Sequence, residues 1–176
     1  MKKLRFLAIA MATVLTFGMV SCGPKDDDVP YEGITLNDGE FIEIESFGND
    51  ASAAYKLHFR VYLSSGSLVI ENLTSNIVIT GMPDMACTTS AKIADIGKVS
   101  GIAKIDEVPE ASEFKDNVPA TEKHGYVVEA KGTQNINAYE NPNMHDPATQ
   151  YMRIWLEEAT GNGFKLRYEF PFTPED

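Results

Sequence analysis

Cysteine is nearly missing from this chain: 176 residues contain only Cys22 and Cys87. If Cys22 is consumed by modification, Cys87 has no partner for an internal disulfide, so the fold must rest on its hydrophobic core. Cys87 lies in Met85-Ala86-Cys87-Thr88-Thr89, without a histidine or basic neighbour to lower its pKa, and reads as a small buried apolar group. Positive charge is also scarce, with 15 Lys and Arg against 26 Asp and Glu and a formal charge of −11. That balance argues against nucleic acid as a partner and against polybasic docking on anionic lipid. His58, His124 and His145 are the only histidines, and none stands in a His-x-x-x-His spacing, so no metal or other cofactor is expected. No Gly-x-Ser-x-Gly segment occurs, and Ser64-Ser65-Gly66-Ser67 reads as a turn. The many paired carboxylates, Glu157-Glu158 among them, are expected by chance in so acidic a chain. Long apolar runs are absent after residue 20, and no sustained 3.6-residue pattern follows.

The one apolar run present is informative. Lys2, Lys3 and Arg5 precede residues 6–20, and Ser21-Cys22 follows. A charged start, about fifteen apolar residues and a small residue before the break are the layout of an export signal. The run falls short of the roughly 20 residues that a spanning helix needs. Met19-Val20-Ser21-Cys22 resembles a lipobox, which implies cleavage before Cys22 and lipid attachment to it. Lys25-Asp26-Asp27-Asp28 resembles the address that sends Bacteroidota lipoproteins to the outer face of the outer membrane. The expected organisation is a signal peptide over residues 1–21, a lipidated flexible tether over 22–31, and one β domain over 32–176. Without residues 1–21 the chain has 12 basic and 26 acidic residues, a formal charge of −14, so membrane contact should run through the lipid.

From residue 33 the pattern has period two. Residues 33–36 and 41–45 flank the turn Asn37-Asp38-Gly39. Tyr55, Leu57, Phe59, Val61 and Leu63 alternate with Lys56, His58, Arg60 and Tyr62, predicting a strand with one wet face. Strands are expected again over 68–73 and 76–80. Residues 88–96 are ambiguous, with room for one short helix. Residues 106–123 and 132–149 form long polar connections, the second rich in asparagine and an unconvincing calcium loop.

The terminal hairpin allows a register argument. A three-residue loop, Gly161-Asn162-Gly163, sets Met152 opposite Phe172, Ile154 opposite Phe170, Leu156 opposite Tyr168 and Glu157 opposite Arg167. A two-residue loop would set Ile154 against Glu169, charge against core, so the longer loop is expected, with Gly163 left-handed. Arg153 and Lys165 then face water. Trp155 points to the charged face, either as an open platform for a sugar ring or partner aromatic, or beneath a second layer.

Five segments carry a family resemblance: residues 93–102, Ile105 with Val108-Pro109, His124-Gly125-Tyr126-Val127, Tyr151-Met152-Arg153-Ile154 and residues 165–172. In this order they resemble a family of small Bacteroides-type lipoproteins classified as a domain of unknown function. The family supplies no catalytic residues; the resemblance implies a location and a fold. His124 reads as the residue opening a strand and bonding local backbone.

The fold expected is all-β, a single antiparallel β-sandwich or distorted barrel. The function expected is that of a surface-exposed outer-membrane lipoprotein acting as a non-enzymatic binding or interaction module, its partner a protein or glycan at the cell surface. The alternative is a glycan-binding lipoprotein using Trp155 and loop residues; a small hydrolase is the third reading.

Overall fold

A computed structural model describes residues 33–50, 53–77, 85–134 and 148–174. The export signal, Cys22, Lys25, Asp26, Asp27, Asp28 and the asparagine-rich segment with His145 lie outside the described residues, as does the side chain of Cys87.

Ten strands follow in chain order: β1 (Ile34–Asn37), β2 (Phe41–Asp50), β3 (Ala53–Ser64), β4 (Ser67–Asn72), β5 (Thr74–Ile77), β6 (Met85–Lys98), β7 (Asn117–Pro119), β8 (His124–Gln134), β9 (Ala148–Ala159) and β10 (Gly163–Phe172). They form two antiparallel sheets, ordered β1-β10-β9-β8-β6-β5 and β2-β3-β4-β7, the first curled as a half-barrel. The all-β expectation therefore stands.

The alternation of β3 works as read. Leu57, Phe59, Val61 and Leu63 are buried, and with Ile42, Ile44, Leu68 and Ile70 they meet Ile93, Tyr126, Val128, Met152, Ile154 and Leu156 of the larger sheet. This interdigitated layer is the main source of stability.

The helix option over 88–96 fails: those residues belong to the 14-residue strand β6. Thr89, Ala91 and Ile93 alternate inward, and pairing with β5 and β8 on either side settles what small residues left ambiguous. The helical residues are two 3-10 turns further on, Ile102–Lys104 and Ala111–Glu113.

The connection over 106–123 is built structure. With residues 99–105 it forms a strap over the outer face of the larger sheet. Ile102, Ile105 and Phe114 cover Ala94, Val127 and Trp155 as a second small core. Lys115 and Ile93 exchange backbone hydrogen bonds of 2.8 Å, and Arg153 Nη1 donates to the Ile105 carbonyl at 2.8 Å. Arg153 is thus largely covered, contrary to expectation, and also bonds Glu169.

The terminal hairpin departs from the expected register in an instructive way. Thr160 N–H donates to the Gly163 carbonyl at 2.8 Å, and Ala159 pairs with Phe164, so the turn itself holds two residues. One extra residue in β9, Glu157, then bulges out, after which Leu156 pairs with Leu166 and Ile154 with Tyr168. As far as Glu169 the partners sit two residues from those expected, which keeps the expected faces. A second irregularity before Phe172 then pairs it with Tyr151 instead of Met152 and sets its ring 4.8 Å beneath the Arg153 guanidinium, so its expected place opposite Met152 is corrected. Phe170 remains on the core side, edge-on to Phe59 with ring centroids 6.0 Å apart. The bulged Glu157 still reaches Arg167 at 3.3 Å and Lys165 at 3.6 Å.

The tight turns gather at one end of the sandwich. Asp38 N–H donates to the Asn162 carbonyl at 2.8 Å, Ser65 N–H to Asp38 Oδ1 at 2.6 Å, and Ala120 N–H to the Gly66 carbonyl at 2.9 Å. β1 runs toward this end, from Ile34 opposite Leu166 to Asn37 opposite Gly163. Tyr126 locks the turn end from within: its hydroxyl accepts from Thr121 N–H at 2.8 Å and donates to the Pro119 carbonyl at 3.0 Å. Tyr126→Phe leaves both backbone groups unpaired and should cost about 1–3 kcal/mol in urea melts. Burial, with the Asp95 charge adding to it, pushes the Tyr126 phenol up from 10.0 to about 12. Raised in the folded state, this group contributes fully below pH 10, and its contribution is lost as pH rises toward about 12. The Phe variant should lack that part of the alkaline unfolding.

Candidate binding face

Register and alternation assemble an ordered surface on the outside of the smaller sheet. The inward set of β2 and β3 leaves Phe41, Glu43 and Glu45 facing out beside Tyr62, Arg60 and His58, their cross-strand partners. From β4, Val69 pairs with Tyr62 and Glu71 with Arg60. Two rows result, Phe41-Tyr62-Val69 and Glu43-Arg60-Glu71, the first of them nearer the turn end.

The rows hold each other. Phe41 and Tyr62 rings pack 5.1 Å apart at 52°, and the Arg60 guanidinium lies 4.5 Å over the Phe41 ring. Arg60 Nε donates to Glu43 Oε2 at 2.8 Å, and Nη1 reaches Glu71 at 3.4 Å. The Tyr62 hydroxyl donates to the same Glu71 oxygen at 2.8 Å. Hydrogen bonding from His58, joined by Arg60, holds the Glu43 carboxyl below the ordinary range despite partial burial. Phe41, Tyr62, Glu43, Arg60 and Glu71 are each fixed by at least one neighbour on the adjoining strand, so little of their rotamer entropy remains to be lost on binding.

His58 continues the network inward. Its Nε2 lies 2.7 Å from Glu43 Oε1 and its Nδ1 2.8 Å from Ser75 Oγ. Serine, histidine and carboxylate in a hydrogen-bonded chain are the parts of an acyl-transfer site. Here, however, Ser75 is 8% exposed, and Thr89 Oγ1 accepts the His58 backbone N–H at 2.7 Å. The Asn72 side chain bonds both N–H and C=O of Ala91, at 2.6 and 3.2 Å. The cluster braces the two sheets where β4 passes into β5, and it turns the serine hydroxyl away from solvent. Spacing along the chain held no sign of it, since Ser75 and Glu43 lie 17 and 15 residues from His58.

The residues singled out earlier are placed elsewhere. Trp155 is 9% exposed under the strap, with the Lys123 ammonium 5.4 Å from its ring centre, so the open-platform option is corrected. The cause is the second layer of Ile102, Ile105 and Phe114. His124 holds Asp95 across β6 and β8, with Nδ1 at 3.0 and 3.1 Å from the two carboxylate oxygens, instead of bonding only backbone. A β-bulge with Gly97 at φ +81° turns Asp95 toward it. Among the described residues no group of three or more His, Cys, Asp or Glu could hold a metal ion.

Comparison with protein-family models, curated proteins and solved structures returned no match.

Proposed function

We propose that this protein is a lipid-anchored binding module of the outer membrane, facing outward and without catalytic activity. Cys22 carries the lipid, and Lys25, Asp26, Asp27 and Asp28 give the surface address. The partner is a protein or glycan at the cell surface, reached through the outer face of the smaller sheet. The observation that carries this reading is the ordered pair of rows around Arg60 on the outside of the smaller sheet. Aromatic and arginine side chains held in advance are what binding surfaces use as anchors. The formal charge of −14 without residues 1–21 speaks against nucleic acid.

Anchoring and address are separable in cells. Cys22→Ala should abolish labelling by a palmitate analogue; equal labelling of variant and wild type would remove the lipoprotein assignment. Alanines at Lys25, Asp26, Asp27 and Asp28 should keep the label but protect the domain from protease added to intact cells. Shaving at the wild-type rate would reduce those four residues to a tether. For the binding face itself, a photo-crosslinking side chain at Val69 should capture a partner that one at Lys104 on the strap does not. Equal capture from both positions would discard this face.

A further inference from the structure

We propose that the Phe41-Tyr62-Arg60 face takes a neutral glycan. This rests on the binding-module reading above and names its ligand class. A sugar ring presents a flat array of C–H groups on its faces and hydroxyls at its edge. It is matched by an aromatic surface bordered by planar groups that can donate and accept together. Phe41 and Tyr62 supply the rings, half-buried and fixed 5.1 Å apart. The adjoining row supplies the edge contacts. The second amino group of Arg60, Nη2, makes no hydrogen bond among the described residues, while Nε and Nη1 are engaged. The Glu43 and Glu71 carboxylates, 36% and 45% exposed, retain lone pairs for hydroxyl donors.

Charge selects a neutral ligand. Arg60 is shared between Glu43 and Glu71, Lys56 pairs with Glu45, and His58 bonds Glu43. The acids of this face are thereby largely compensated, although the chain as a whole carries −11. A cation would have to displace Arg60 or Lys56, and a polyanion would meet two carboxylates in the central row and the field of the chain behind them. A protein partner fits less well. Standard interfaces have an apolar core within about 800 Å² per partner, and the apolar row here is three side chains bounded by charge.

The test uses the full lipidated chain in detergent, run by affinity electrophoresis through gels containing soluble starch, galactomannan, xyloglucan or arabinoxylan. Parallel gels contain the polyanions polygalacturonate and heparin. At least one neutral polysaccharide should retard the protein. Tyr62→Ala should abolish the retardation, Arg60→Met should weaken it at least tenfold, and Lys104→Ala on the strap should leave it unchanged. Tyr62→Phe keeps the ring and drops only the hydroxyl's bonds to Glu71 and Arg60, so it should retain part of the affinity even if the alanine variant fails to fold. Absence of retardation in every neutral gel, retardation by polyanions alone, or retardation that survives Arg60→Met and Tyr62→Ala would each overturn the proposal. A protein adduct captured through Val69 in cells, with no neutral gel retarding the chain, would uphold the binding module and reject the glycan.

Discussion

Gly163→Val should be among the most destabilising single changes in this protein, and the reason is contact rather than conformation. Gly163 lies outside the left-handed region, unlike Gly39, Gly66 and Gly97. A Cβ built on it would stand 2.1 Å from the Leu36 carbonyl oxygen and 2.7 Å from the Asn37 Cα, both backbone atoms of β1. No rotamer change relieves that clash; β1 must leave its place opposite Asn37↔Gly163, taking the buried Leu36 with it. The cost should exceed the ~1–3 kcal/mol typical of overpacking. Urea melts of three variants separate the causes. Gly163→Ala should already be strongly destabilising. Gly163→Asn should not rescue, though asparagine tolerates the left-handed region better than other residues with a Cβ. Gly161→Ala, where nothing lies within 4 Å, should stay within about 0.5 kcal/mol. Rescue by asparagine would restore the left-handed explanation.

The turn glycine shows how the sequence misleads about cause while succeeding about placement. Period-two reading found β3 and the faces of the terminal hairpin as far as Glu169 because one side of each pattern is polar; the irregularity that turns Phe172 was not legible. It could not find the bulge at Glu157, because a bulge compensating a shorter turn leaves the face assignment unchanged. β6 was ambiguous because Ala, Ser and Gly carry weak preferences, and its neighbours on both sides decide it. The binding face was half legible. The wet set Lys56, His58, Arg60 and Tyr62 was visible in β3, but the rows exist only once β2 and β4 are placed beside it. The brace of Ser75, His58 and Glu43 was not legible at all, since Ser75 comes from the other sheet.

Trp155 gives the second large effect, and a pair of substitutions there separates two contributions. Its ring fills the small core beneath the strap against Ile102, Ile105, Phe114 and Val127. Trp155→Ala should therefore cost about 3–5 kcal/mol, as for other buried aromatics, and should speed hydrogen exchange over residues 99–116. Among the described residues the buried indole Nε1–H has no acceptor, a burden of about 1–3 kcal/mol on the native state. Trp155→Phe keeps most of the ring and deletes that donor. The loss of packing is then offset by relief of the unpaired group, and the net change should lie within about 1 kcal/mol of zero. An exposed platform would behave differently, with Trp155→Ala within about 0.5 kcal/mol of wild type. Equal destabilisation by Phe and Ala would mean that the N–H has an acceptor and that the indole as a whole, not its apolar area, anchors the strap. Neither substitution should change retardation by a neutral polysaccharide, because Trp155 lies on the larger sheet and Phe41, Arg60 and Tyr62 on the outside of the smaller one.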